Sequence, residues 1–283
     1  MLINGPGTRE DLVADAHATG HEITVRLITD WVSRGLLDQP TRQPKGYGRG
    51  SDKGLYSENQ RRLLLSLLDK RASNHLRSLA RIPLFVWLYW GDDHVPTRQA
   101  LRALTTWVDD FRTSKEAASQ AARLIIGQVD HPLASAEARR SLLELLTESA
   151  YCGRVDEPRI RQAVHAVFEP EHVLIKRVAG PLSAPMSTDS VVRLFTARLS
   201  AAQAVRRGVV VESQLVQARE AHRTNMAEYV ARLPGMASQV PEQLADAFRQ
   251  PSAQMMAETC GTDILTVLGL EFFVSDAKKP ASA

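Results

Sequence analysis

Cysteine is scarce in this chain of 283 residues: Cys152 and Cys260 stand far apart, with no second Cys or His at metal-ligand spacing. A disulfide framework and a structural zinc are therefore not expected, which fits a reducing compartment. Long apolar runs are missing too. Nothing approaches the ~18 apolar residues that a membrane span requires, and Met1 to Glu10 holds no apolar segment of signal-peptide length. The expectation is a soluble, cytoplasmic protein. Catalytic signatures are also lacking: there is no nucleophile elbow, HExxH, phosphate loop or pair of catalytic acids. Gly46, Gly48 and Gly50 are neither preceded by an apolar strand nor followed by Gly-Lys-Ser/Thr, as a nucleotide loop would be. Neither an enzyme nor a cofactor or metal site is expected.

What is present is ordinary for a globular chain, 44% hydrophobic and 24% charged, with length enough for two domains and a substantial core. Net charge is only +3, so its distribution matters more than its total. Residues 1–81 hold 13 Lys/Arg and 9 Asp/Glu, a balance of +4, and the remainder holds 22 and 23, a balance of −1. The basic excess marks the N-terminal third as the part suited to phosphate.

Within that third, Thr24 to Gln60 reads as helix, basic glycine-rich loop, helix. Leu27, Ile28, Trp31 and Val32 share one helical face, Thr24 caps the start, and Gly35 ends it. The opposite face carries Thr24, Arg26, Thr29, Asp30, Ser33 and Arg34, and can reach a duplex groove. Thr41 to Tyr56 then places Arg42, Lys45, Arg49 and Lys53 against the single acid Asp52, among glycines that permit tight turns. A positive hairpin beside a recognition helix is a wing.

The string Arg26-Leu27-Ile28-Thr29-Asp30-Trp31-Val32-Ser33-Arg34-Gly35-Leu36-Leu37, with Gly46-Tyr47 and then Leu55-Tyr56-Ser57-Glu58, resembles the winged helix-turn-helix of MerR-type transcriptional regulators. Arg26, Trp31, Gly35, Leu36, Leu37, Leu55, Tyr56 and Ser57 carry the match. The chain departs from the family's pattern at Asp30, where an aromatic is usual, at Thr29, where a basic residue is common, and at Gly54, where the wing arginine stands. The resemblance covers about the first third. It implies homodimers on near-palindromic promoter DNA, with the C-terminal portion sensing a small molecule or protein.

Around this segment, Thr8 to Ala18 is expected to be a helix capped by Thr8 and stopped by Gly20. Ser57 to about Arg81 follows, opened by a capping box of Ser57 and Gln60. Pro83 is expected to break that helix and mark the domain boundary. The expected fold is mainly α: a winged helix-turn-helix over 1–82, an all-helical effector or oligomerisation domain over 83–270, and a flexible tail over 271–283. Helical spacing recurs in Thr97 to Arg112, Ser114 to Val129, Ser135 to Tyr151, Pro158 to Phe168, Asp189 to Arg207, Glu212 to Leu233, Pro241 to Arg249 and Ser252 to Leu268. Only Val173-Leu174-Ile175 and Val209-Val210-Val211 could be strands.

The candidate DNA contacts are Arg26 and Arg34 to phosphate or guanine edges, Thr24 and Thr29 by shorter contacts, and Arg42, Lys45, Tyr47, Arg49 and Lys53 to flanking phosphates. The aromatic span has two readings, an ordinary core or a pocket for an apolar effector lined by Phe85, Trp87, Trp90, Trp107 and Phe111. Asp92, Asp93 and His94 read as turn-capping residues rather than a metal site. These features favour a sequence-specific DNA-binding regulator. The alternatives are a protein-interaction or assembly module, and a DNA-bending factor of plasmid or phage maintenance or excision.

Overall fold

The computed structural model describes residues 3–41, 53–71, 76–109, 114–130, 134–168, 187–237 and 250–273. Arg42, Lys45, Tyr47, Arg49 and Phe111 lie outside these residues, as do Val173-Leu174-Ile175, Pro241 to Arg249 and most of the expected tail. The chain divides into two compact units, Met1–Trp107 and Val108–Ala283. The protein is mainly helical, and among the described residues two isolated antiparallel bridges, Gly7 with Tyr56 and Thr41 with Leu55, are the whole of the β pairing. Val209 to Val211 form no strand: this turn exposes Val209 and Val211 and buries Val210 between two helices.

The first unit is built from α1 (Arg9–Ala18), α2 (Val25–Ser33), α3 (Glu58–Arg71), α4 (Leu76–Trp90) and most of α5 (Thr97–Asp109). Its core gathers Leu12 and Ala16 of α1, Ile28 and Trp31 of α2, Leu63, Leu64, Leu67 and Leu68 of α3, Leu84, Trp87 and Leu88 of α4, and Leu104 of α5. Pro83 does not break the chain here. It sits inside α4, where it removes one ladder hydrogen bond at about 3 kcal/mol. Burial of Leu79, Leu84, Trp87 and Leu88 at ~1.5–3 kcal/mol each outweighs that cost. The compact units divide after Trp107.

Helix α1 starts as its sequence dictates. The Thr8 hydroxyl accepts from the Asp11 N–H, and the Asp11 carboxylate accepts from the Thr8 N–H at 2.6 Å and its hydroxyl at 2.9 Å. Those bonds, the backbone one foremost, hold Asp11 below the usual carboxylate range. A depressed folded pKa stabilises above the unfolded value, and the gain fades as pH falls through the folded one. Asp11→Asn should therefore lower the first unit's urea midpoint near neutrality and leave it unchanged in strong acid.

The second capping box is only half formed. Ser57 Oγ accepts from the Gln60 N–H at 3.2 Å, but the Gln60 side chain does not turn back to Ser57. It is buried and spans three segments, accepting from the Asp38 N–H at 2.8 Å and donating to His94 O at 3.1 Å and Gln99 Oε1 at 2.8 Å. Gln99 in turn donates to Leu36 O at 3.0 Å. A buried amide so fully engaged is worth more to the packing of α2, α3 and α5 than to the end of one helix.

The second unit stacks α6 (Lys115–Val129), α7 (Ala136–Cys152), α8 (Glu157–Phe168) and α9 (Thr188–Arg206) in sequence over an apolar core that includes Leu142, Leu146, Ile160, Val164, Val167, Phe168, Val191 and Phe195. Helix α11 (Ala253–Leu268) packs against both α9 and α10 (Glu212–Ala237), and a π turn (Gly269–Phe273) continues it. Gly269 touches the α9 backbone so closely that a Cβ there would lie 2.1 Å from Ala197 O. No described helix is long and apolar enough to cross a membrane.

Candidate nucleic-acid interface

Helix α2 separates its two faces cleanly. Ile28 and Trp31 are buried at 0% and 2% exposure, whereas Thr24, Arg26, Thr29, Ser33 and Arg34 are all exposed. Trp31 is thus a core residue, not a stacking platform. Thr24 caps the helix, its hydroxyl accepting from the Leu27 N–H at 3.3 Å, so its own hydrogen remains available to an outside acceptor. Thr29 differs: its hydroxyl donates to Val25 O at 3.1 Å and is left to accept, which suits a base amino group better than a phosphate. Thr24→Ala should cost about 1 kcal/mol in a urea titration, the usual value of an N-cap.

The two arginines of this face stand in different states. Arg26 has no ion-pair or hydrogen-bond partner among the described residues. Arg34 donates from Nε to both oxygens of Asp30, at 3.0 and 3.1 Å, one helical turn back. That exposed pair is worth little in stability, and among the described residues the Nη groups of Arg34 make no hydrogen bond. The i, i+4 spacing of Asp30 and Arg34 was the available sequence signal for this pairing.

Behind α2, Leu36 and Leu37 enter the core at 0% exposure and the chain turns to Thr41. Thr41 and Leu55 exchange both backbone hydrogen bonds at 2.9 Å, which closes the segment between them at its base. Tyr56 then pairs with Gly7, its N–H donating to Gly7 O at 2.7 Å and its O accepting at 2.9 Å. Of the four cations expected on the loop, only Lys53 is described; it is exposed and lies 3.9 Å from Glu10.

The acid and histidine cluster is a turn. Asp92 accepts from Trp87 Nε1 at 3.0 Å and Thr97 Oγ1 at 2.8 Å, and no group of three or more His, Cys, Asp or Glu among the described residues could hold a metal. His21 lies 3.0 Å from Asp69. In the aromatic span, Trp87 and Trp107 are core residues at 0% and 4% exposure. Trp90 is 55% exposed and meets Phe85 edge-on at 5.3 Å, with Tyr89 beside them. A groove of about 570 Å³ lies elsewhere, in the second unit, lined by Leu145, Glu148, Tyr151, Cys152, Arg154 and Arg159 among others.

No family model, curated protein or solved structure matches the chain.

Proposed function

We propose that the first unit is a winged helix-turn-helix that binds double-stranded DNA by sequence, and that the chain is a MerR-like transcriptional regulator. The observation that carries this reading is the exposed face of α2, where Arg26 and the Nη groups of Arg34 make no bond among the described residues, followed by a cationic segment whose ends are joined at Thr41 and Leu55. In this reading α2 enters the major groove. Arg26 and Arg34 address guanine edges or phosphates, Thr29 accepts from a base amino group, and Arg42, Lys45, Tyr47, Arg49 and Lys53 grip the flanking backbone as a β-hairpin wing. Two copies of the chain read a near-palindrome, and the helical second unit serves dimerisation or the sensing of a small molecule or protein.

Duplex fragments selected from genomic DNA give the test. Arg26→Ala and Arg49→Ala should each weaken binding and flatten the dependence of log K on log salt by about one unit per lost phosphate contact. Parent-like binding by both variants would remove α2 and the loop as the contact surface. One observation favours a second reading, that of a protein-interaction module: the Phe85, Tyr89 and Trp90 cluster presents aromatic surface of the kind enriched at interfaces. A stable hetero-complex combined with no duplex binding at low salt would decide for it.

A further inference from the structure

Helices α7 and α8 form a hairpin joined by the turn at residues 153–156, and a groove runs along it. One part, of about 570 Å³, lies at the turn; a second, of about 470 Å³, adjoins it and shares Leu145, Glu148 and Arg159 with the first. Glu137, Glu144 and Glu148 line the second part from α7. Spaced by seven and four residues, they stand on one face of the helix, ~10 Å and ~6 Å apart along its axis. All three are exposed, and among the described residues none makes an ion pair or a side-chain hydrogen bond. Arg139 of α7 and Arg161 of α8 meanwhile hold other acids, Asp130 and Glu157. At the turn end Ser149 lines the groove at only 3% exposure, yet its hydroxyl makes no hydrogen bond among the described residues. A buried hydroxyl left so is costly, and a polar group entering from outside would satisfy it.

We propose that this groove docks a cationic amphipathic helix of a partner protein, its lysines or arginines against Glu137, Glu144 and Glu148 and its apolar stripe on Leu145 and Ala163. A helix laid along α7 has the same rise per residue, so cations seven and four residues apart on one of its faces meet the three carboxylates in register. Leu145 and Ala163 are nearly buried and offer an apolar floor, and the small side chains of Ala163 and Ala166 let a third backbone come close. Charge selects the occupant. In the part that runs along the helices three glutamates face a single arginine, Arg159, an excess that attracts a cationic partner and repels an acidic one or a nucleic acid. Arg154 and Arg159 at the turn suit the carbonyl end of the incoming helix, whose dipole is negative, so that helix runs parallel to α7.

The probe is a labelled synthetic helix of about 20 leucine, alanine and lysine residues, its lysines seven and four apart on one face, titrated with the full chain at ~0.15 M salt and followed by anisotropy. A second peptide has the same composition with its lysines spread around the helix. Saturable binding of the first is expected, with the second weaker by roughly tenfold or more. Glu144→Lys/Glu148→Lys should weaken the first peptide by about tenfold or more. Glu116→Lys/Glu212→Lys, which makes the same change in net charge at exposed acids outside the groove, should leave it intact. No saturable binding, equal affinity for the two peptides, or parent-like binding by Glu144→Lys/Glu148→Lys would overturn the site. Sedimentation of the chain alone completes the test: self-association that Glu144→Lys/Glu148→Lys abolishes would give the groove to a second copy and overturn the assignment to a partner helix. The groove lies within the second unit, so none of these results depends on DNA binding by the first.

Discussion

Gly35→Ala is expected to destabilise the first unit by about 3–5 kcal/mol, enough to unfold much of it if its stability is in the usual range of ~5–15 kcal/mol. Two costs combine. Gly35 sits at φ +73°, a region that costs an L-residue roughly 1–2 kcal/mol. A Cβ there would also lie 2.4 Å from Ala103 N and 2.7 Å from Arg102 C, and these are backbone atoms in the middle of α5. The helix would have to retreat. Retreat would pull Thr106 from Arg34 O, now 2.8 Å away, Gln99 from Leu36 O at 3.0 Å, and Arg98 from the buried carboxylate of Asp38. Gly20→Ala separates the two terms, because Gly20 has φ +85° and nothing within 4 Å of the added carbon. Urea titrations should show a loss of about 1–2 kcal/mol for Gly20→Ala and a clearly larger one for Gly35→Ala. Equal losses would mean that α5 does not press on the turn after α2.

Asp15→Ala should cost about 3–5 kcal/mol, the penalty for leaving a buried charge without its partner. Asp15 is 1% exposed, and Arg61 grips it from Nε at 2.7 Å and from Nη2 at 2.8 Å, while Nη1 donates to Gly5 O at 2.9 Å. The same arginine packs under Gly7, where a Cβ would come within 3.1 Å of its Cδ. It therefore ties α1, α3 and residues 5–7 together. Freed of Asp15, the guanidinium would move to water and loosen the Gly7 to Tyr56 pairing. The double variant Asp15→Leu/Arg61→Met removes both charges, and its midpoint should recover most of the loss. No recovery would mean that the pair holds the segment by geometry that apolar side chains cannot replace.

Much of the helical framework was legible in the sequence because it is written in short-range signals. Thr8 and Thr24 cap helices where their residue types led one to expect it, and Ser114, Ser135 and Ser252, the first residues of expected helical spans, cap theirs. Ile28 and Trp31 are buried as the apolar spacing required. Long-range partners were not legible. Nothing around Gln60 distinguishes a capping glutamine from one that joins Asp38, His94 and Gln99, since those partners lie 22 to 39 residues away. Pro83 misled for a related reason: the local rule for proline was outweighed by the burial of the helix on both sides of it. The tethering of Arg34, and the lack of a partner for Arg26 among the described residues, likewise depend on neighbours that spacing alone ranks only in part.

All four tryptophans, at 31, 87, 90 and 107, belong to the first unit, and only the one at 90 is exposed. Indole emission from the intact chain is consequently blind to the second unit. An added iodide quencher should extinguish one of the four emitters and spare the others until that half of the molecule melts. A dichroism signal that outlasts the shift in emission would then belong to the tryptophan-free helices.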